Sequence, residues 1–189
     1  MEIIKEIIKF GALVEKFGLI SSHSGNISVR DDEYIYITKT KTMLGDLNEN
    51  SIIKVSLFKN DENLEEASME TIVHRAIYKS SNYKAIIHTH PVYSITLSLV
   101  LENFIPPDSE GKLILNNVPV LKAKQTVASA EVAEKIPMFF KDGKAAIIRG
   151  HGVFAAGENL EKAFYYTTVL ENSAKIYYLT KLWISSKLS

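Results

Sequence analysis

His88 and His90 stand one residue apart in the apolar run Lys84-Ala-Ile-Ile-His-Thr-His. In an extended chain alternate side chains share a face, so both imidazoles project to the same side at one pleat spacing. A third histidine, His151, lies between Gly150 and Gly152 just after the apolar segment 145–148, where missing side chains allow close backbone approach to a site. Each feature has an ordinary reading as well. His-x-His also describes two half-buried histidines, and Gly-His-Gly also describes a hairpin that His151 merely caps. Taken together, three histidines with one open position are the donor set of a catalytic zinc site. The chain has no cysteine, so His, Asp and Glu are the only strong ligands available, and disulfides, thiolate nucleophiles and Cys-type zinc fingers are excluded.

Glu70 is the natural acid/base candidate near such an ion, because a carboxylate can bind a metal at rest and take a proton when substrate displaces it. It is equally placed to be a solvated acid at a helix start. His74 follows four residues later on the same helix face, which makes Glu70 and His74 a possible ligand pair; a supporting hydrogen-bond role for His74 fits better. Two polar segments, Ser24-Gly25-Asn26 and the threonine series Thr38, Thr40 and Thr42 with Lys39 and Lys41, offer amides, hydroxyls and positive charge of the kind that hold a phosphate. Both are also ordinary turn chemistry.

These residues need a frame. A length of 189 residues, 46% hydrophobic and 23% charged, suits one compact domain over 1–189. Lys plus Arg and Asp plus Glu both number 22, so no bulk field draws the chain to nucleic acid or an acidic membrane, and small molecules are the expected partners. The opening residues carry Glu2, Glu6 and Glu15 rather than a basic-then-apolar leader, and no apolar run approaches a membrane span, which predicts a soluble cytoplasmic protein.

Hydrophobic periodicity predicts helices over 2–17, 68–79 with Ser68 as N-cap, 93–101, 126–140 and 160–183 with Asn159 as N-cap. Strands are predicted at 34–38, 52–58, 84–90, 118–121, 144–149 and 153–156, with 21–28 a tight loop and a further loop beginning at Pro106-Pro107. Helices and strands alternate without repeat or linker, so the expected fold is one layered α/β domain.

In order along the chain, His-Ser-Gly-Asn-Ile-Ser at 23–28, Ser-Met-Glu at 68–70, His-Thr-His-Pro at 88–91, Gly-His-Gly at 150–152 and the helix start Asn159-Leu-Glu-Lys-Ala resemble the class II aldolase/adducin family over nearly the whole chain. The resemblance implies a three-layer α/β/α domain with a largely antiparallel central sheet, assembled as a homotetramer with sites between subunits. It implies Zn2+, with Mn2+, Co2+ or Fe2+ as other occupants of such a donor set, held by His88, His90, His151 and Glu70, with Glu70 also the base. Ser24, Gly25, Asn26, Thr40 and Ser68 would line a phosphate site.

The implied reaction is reversible aldol cleavage of a short ketose 1-phosphate, of the L-fuculose 1-phosphate kind, to dihydroxyacetone phosphate and an aldehyde. Such cleavage generates an enediolate whose charge needs an electrophile beside its oxygens. Within the family, 4-epimerisation of L-ribulose 5-phosphate or dehydration of a sugar phosphate would use similar polarisation. A noncatalytic adducin-like scaffold is the alternative of another class, against which the retained histidines and Glu70 argue.

Three departures bear on the substrate. Lys41 replaces a glycine common in the Thr-x-Thr-Gly loop, and Met69 replaces a serine that commonly helps bind phosphate. The segment 104–110 lacks the tyrosine that serves some aldolases as proton donor, leaving Asp108 and Glu110 as candidates. The chain also ends soon after its last helix, without the tail that covers the site in longer relatives.

Overall fold

The fold is described by a computed structural model covering residues 2–187. Helix α1 (Glu2–Lys16) buries Ile7, Phe10, Gly11 and Val14, a single stripe at helical spacing. Eight strands then form one mixed sheet: β1 (Asn26–Asp31), β2 (Tyr34–Thr38), β3 (Ile52–Ser56), β4 (Ala85–Thr89), β5 (Asn103–Phe104), β6 (Val118–Leu121), β7 (Ala145–Ile148) and β8 (Gly152–Gly157), in the order β3-β2-β1-β4-β8-β7-β6-β5. Among these, β6 and β7 run parallel and the other neighbouring pairs antiparallel. The sheet is thus largely antiparallel, as expected, and is mixed only through its one parallel pair.

Both faces of the sheet are covered. Ile86, Ala146, Ile148, Phe154 and Ala156 pack against Val73, Ile77 and Tyr78 of α2 (Thr71–Ser80), Val132 of α5 (Ala130–Lys135) and the 3-10 turn at Ile136–Phe140. The opposite face buries Ala145, Ile147, Val153 and Ala155 under Leu97 of α3 (Val92–Ser98) and Val169, Leu170 and Ala174 of α6 (Leu160–Ser185). On that same face α1 and the start of α6 enclose Ile27, Ala85 and Ile87. Strand β4, at the centre and buried at every residue, thus turns Ile86 and His88 toward α2 and Ala85, Ile87 and Thr89 toward α1 and α6. A short helix, α4 (Ser109–Ile114), packs on α6. No helix of the described residues is long and apolar enough to cross a membrane.

The structure corrects several sequence expectations. Strand β1 starts inside the predicted 21–28 loop. Its α2-facing residues, Asn26 and Ser28, are polar yet buried, which hides the strand from a hydrophobic alternation test. The predicted 126–140 helix begins only at Ala130, capped by the Ser129 hydroxyl accepting from the Val132 amide, and tightens to 3-10 geometry around Pro137, which has no N–H to donate. Helix α2 begins at Thr71 rather than directly after Ser68. Ser68 sits a step earlier, its carbonyl accepting from the Thr71 amide at 2.9 Å and its hydroxyl from the Glu70 amide at 3.3 Å. Helix α3 ends at Ser98 instead of 101, and β5 and α4 lie in what was expected to be loop. The Asn159 cap is as expected, with its side chain accepting from the Lys162 amide at 2.9 Å.

Candidate metal centre

Antiparallel pairing gathers distant segments at one end of the sheet. The last residues of β4 lie beside the first of β1 and β8, with Asn26 opposite His88 and Phe154 opposite His88 on the other side. The His88 ring stacks on Phe154 at 4.1 Å between centroids, and its Nδ1 donates to the Val153 carbonyl at 3.0 Å. That bond fixes the tautomer, so Nε2 faces the site with its lone pair free. His90, just past the strand, is held by its amide donating to the Leu19 carbonyl, and its Nε2 lies 3.1 Å from Nε2 of His88. His151 occupies the turn between β7 and β8.

One potential ligand atom from each of the three rings falls within 4.8 Å of the others. Two nitrogens bound to one tetrahedral zinc are roughly 3.3 Å apart, given bonds of about 2.0 Å. The 3.1 Å approach of His88 and His90 has that size.

Gly152 makes this gathering possible. A Cβ there would stand 2.4 Å from the Thr89 carbonyl oxygen, 2.9 Å from the His90 ring and 3.0 Å from the His88 ring. Gly152→Ala is accordingly expected to cost about 1–3 kcal/mol of stability by overpacking and to weaken metal binding. Thermal unfolding together with metal analysis checks this, and wild-type behaviour in both would refute it.

Glu70 reaches the same point from the residue before α2. Its Oε1 accepts from the Ala128 amide at 2.9 Å and lies 3.8 Å from His151 Nε2, while Oε2 is buried with no hydrogen-bond partner. Burial raises the Glu70 pKa against the opposing Ala128 amide. The rings shift the other way. Burial first, then repulsion from neighbouring histidines, puts His88 well below the usual imidazole range and His90 at about 4; burial also lowers His151, with the Thr126 backbone partly opposing. All three are therefore neutral near pH 7 and offer lone pairs rather than protons. A bare buried carboxylate oxygen beside three neutral imidazoles is a donor set suited to a divalent cation.

A cavity of about 420 Å³ opens over the histidines, lined also by Ser24, Gly25, Asn26, Lys39, Thr40, Lys41, Ser68, Met69, Glu70 and Val127. All five residues expected to line a phosphate site are thus together with the histidines. Gly25 sits at φ +82°, and a Cβ there would meet the His88 carbonyl at 2.8 Å. Lys41 has φ +62°, the left-handed conformation that suits the glycine it replaces. Met69 is mostly exposed at the cavity mouth. A larger groove of about 670 Å³ shares Thr40, Ser68 and Met69 with the cavity but contains none of the histidines, so the chemistry belongs to the smaller one.

Asp108 and Glu110 are not brought to the cavity within this chain. Asp108 caps α4 by accepting from the Gly111 amide, and Glu110 accepts from the Tyr165 hydroxyl at 3.0 Å. Conversely, the sequence reading overlooked Ala128, whose amide orients Glu70. Ser129 as an N-cap was the available signal, since it places Ala128 outside the helix with its N–H free.

His74 lies beneath this cavity, fully buried. Its Nδ1 is 2.6 Å from the Ser28 hydroxyl and its Nε2 is 2.6 Å from Asn26 Oδ1, the supporting hydrogen-bond position expected for it. Burial lowers its pKa to about 3. His74, His88, His90 and His151 all shift in one direction. In each case the unfolded chain binds a proton near pH ~6.5 that the fold resists, so this stability is full above about pH 6.5 and declines as pH falls toward about 3, with Glu70 opposing as a single group shifted upward. The melting temperature of chelator-treated protein is expected to fall on acidification from about pH 7 to about pH 4. A flat profile would contradict the burial described.

A fold with helices on both faces of a mixed sheet, and three histidines beside a carboxylate at one end of it, defines a class before it defines a reaction. Residues 5–178 match the Class II Aldolase and Adducin N-terminal domain, and the chain belongs to that family. Its similarity to individual members extends over most of their length. It superposes on the crystal structure of L-fuculose-1-phosphate aldolase from Thermus thermophilus with a TM-score of 0.92 at 33% identity, covering 97% of this chain and 96% of that one. It is 31% identical over 179 residues to an L-fuculose phosphate aldolase of Methanocaldococcus jannaschii, covering 94% of this chain and 97% of the relative. It is also 30% identical over 182 residues to a 3-oxo-tetronate 4-phosphate decarboxylase of Haemophilus influenzae, covering 91% and 85% respectively.

Proposed function

We propose that this chain is a class II, zinc-dependent aldolase. It reversibly cleaves a short ketose 1-phosphate of the L-fuculose 1-phosphate kind to dihydroxyacetone phosphate and an aldehyde, as one catalytic domain over 1–189. The observation that carries this reading is Glu70: a buried carboxylate with one oxygen held by the Ala128 amide and the other bare, beside three neutral histidines. His88, His90, His151 and Glu70 are the residues that hold the ion, which supplies an electrophile for negative charge growing on the substrate oxygens.

The remaining chemistry belongs to side chains of the chain itself. Ser24, Gly25, Asn26, Thr40 and Ser68 hold the phosphate, with Lys41 adding charge while Lys39, also at the cavity, pairs with Glu66, and so fix the neighbouring carbon against the base. In the condensing direction Glu70 takes the proton from the hydroxylated carbon of dihydroxyacetone phosphate. Its raised pKa makes it a stronger base than an exposed carboxylate. In cleavage it returns that proton.

Protonation of the aldehyde oxygen calls for an acid that the single chain does not place at the cavity. Asp108 or Glu110 of a neighbouring copy is the candidate, in a cytoplasmic homotetramer with sites between subunits. The exposed apolar side chains Met69 and Val127 at the mouth, with Ile72 in the adjoining groove, support a subunit packed there.

The decarboxylase relative supports a second reading in which carbon dioxide rather than an aldehyde leaves the same site; epimerisation and dehydration remain further alternatives within the family. Incubating metal-loaded protein with L-fuculose 1-phosphate, L-ribulose 5-phosphate and a 3-oxo-tetronate 4-phosphate separates them. Triose phosphate released from the ketose 1-phosphate is the expected result, whereas an epimer, a dehydrated sugar or carbon dioxide as sole product would overturn the assignment.

A further inference from the structure

His88 is held by the sheet itself, but the other two histidines lie outside strands, His90 just past β4 and His151 in the turn before β8. One element touches the backbone beside both. Helix α3 starts two residues after His90, and its far end meets the turn. There the buried Ser98 hydroxyl accepts from the Gly150 amide at 2.9 Å, and the Leu99 and Leu101 carbonyls accept from the Arg149 guanidinium at 3.2 and 2.7 Å. Arg149 and Gly150 immediately precede His151. Helix α3 therefore spans the gap between the two ligands as a strut.

The first turn of this strut is capped from elsewhere. Pro91, at the N-cap position, has no side-chain acceptor for the free amides of a helix start. Glu171 of α6 supplies the acceptors instead. Its Oε1 accepts from the Tyr93 amide at 2.8 Å, and its Oε2 accepts from the Ser94 amide at 2.9 Å and the Ser94 hydroxyl at 2.7 Å. About one turn further along α6, the Lys175 ammonium lies 5.7 Å from the centroid of the Tyr93 ring. A local cap would stabilise the helix alone; a cap carried on α6 also fixes where the helix sits in the domain. The proposed aldol chemistry makes no use of Glu171.

We infer that Glu171 is a positioning residue for the metal centre: through α3 it holds the backbone of His90 and, by way of Ser98 and Arg149, that of His151, so that the imidazoles converge on one ion before it binds. This rests on the proposed metal site and deepens it. Glutamine at this position cannot do the same, because either orientation of its amide sets an NH2 group against the Tyr93 or the Ser94 N–H.

The test uses full-length protein with Zn2+ or Co2+ as the only added ligand. Zn2+ affinity is read by competition with a chromophoric chelator, and the visible absorption of bound Co2+ reports the geometry of its donors. Glu171→Gln should weaken Zn2+ binding about tenfold, the scale for a group that orients a metal ligand from outside. It should also alter the Co2+ bands while circular dichroism stays that of the wild type. Ser98→Ala, which strands the Gly150 amide at the other end of the strut, should do likewise. Asn159→Ala controls for stability alone: it removes the α6 cap and should lower the melting temperature while leaving both metal readouts unchanged.

Wild-type affinity and an unaltered Co2+ spectrum in Glu171→Gln would overturn the inference. So would an equal change in Asn159→Ala, which would reduce Glu171 to a support of general stability. If Glu171→Gln does not fold, Ser98→Ala decides by the same two readouts. Wild-type protein that takes up no metal would remove the metal site and this inference with it, whereas tight wild-type binding with an indifferent Glu171→Gln removes the inference alone.

Discussion

Replacing Glu70 by glutamine is expected to lower kcat for aldol cleavage by about 10²- to 10⁴-fold, the usual contribution of a positioned general base. Glutamine keeps the shape of the side chain and an oxygen for the Ala128 amide, but that oxygen is not basic. The local frame should survive because the backbone of residue 70 is fixed independently: its amide donates to the Ser68 hydroxyl and its carbonyl accepts from the amides of Val73 and His74. The variant should therefore melt near the wild-type temperature while turnover collapses. Steady-state kinetics on metal-loaded protein decide the matter. Turnover within a few-fold of wild type would remove Glu70 from the role of base.

The second large effect is expected at His90. His90→Ala should abolish stoichiometric metal binding and with it activity, because it removes one of the three imidazoles that converge on the site. His90 is only partly buried and its ring hydrogen-bonds within the protein to His88 alone, so this substitution should disturb the core less than His88→Ala would, where stacking on Phe154 and the Val153 bond are lost too. Metal content after gel filtration reads the first effect and circular dichroism the second. An alanine variant that retained both metal and activity would exclude His90 as a ligand.

How much of this was legible in the sequence depended on what each residue contacts. Helix α1 and the start of α6 announced themselves because a single apolar stripe and a local cap determine them, both visible within a few residues. Strand β1 did not, since the partners that satisfy Asn26 and Ser28 lie more than 40 positions away on α2. The parallel β6–β7 pair likewise follows from tertiary closure rather than from local pattern.

At the site, the residue types suggested a metal, but only the β1–β4–β8 register explains why the 24–26 loop, His88 and His151 share one end of the sheet. Lys41 shows the limit of reading substitutions as losses: the chain keeps the left-handed turn despite lacking glycine there, and gains a cation at the cavity. Asp108 shows the converse, an acid that the family resemblance offered as a proton donor but that in its own chain lies away from the cavity, with one carboxylate oxygen capping α4.

At the heart of the proposed mechanism, Glu70, beside the histidines, removes a proton from the hydroxylated carbon of bound dihydroxyacetone phosphate. That step is read by hydrogen exchange followed by proton NMR, with metal-loaded protein and dihydroxyacetone phosphate in deuterated buffer and no aldehyde present. Signal from one of the two hydrogens on that carbon should disappear, and both chelation and Glu70→Gln should abolish the loss. Retention of both hydrogens by fully metal-loaded wild-type protein, under conditions where dihydroxyacetone phosphate is shown to bind, would rule the step out.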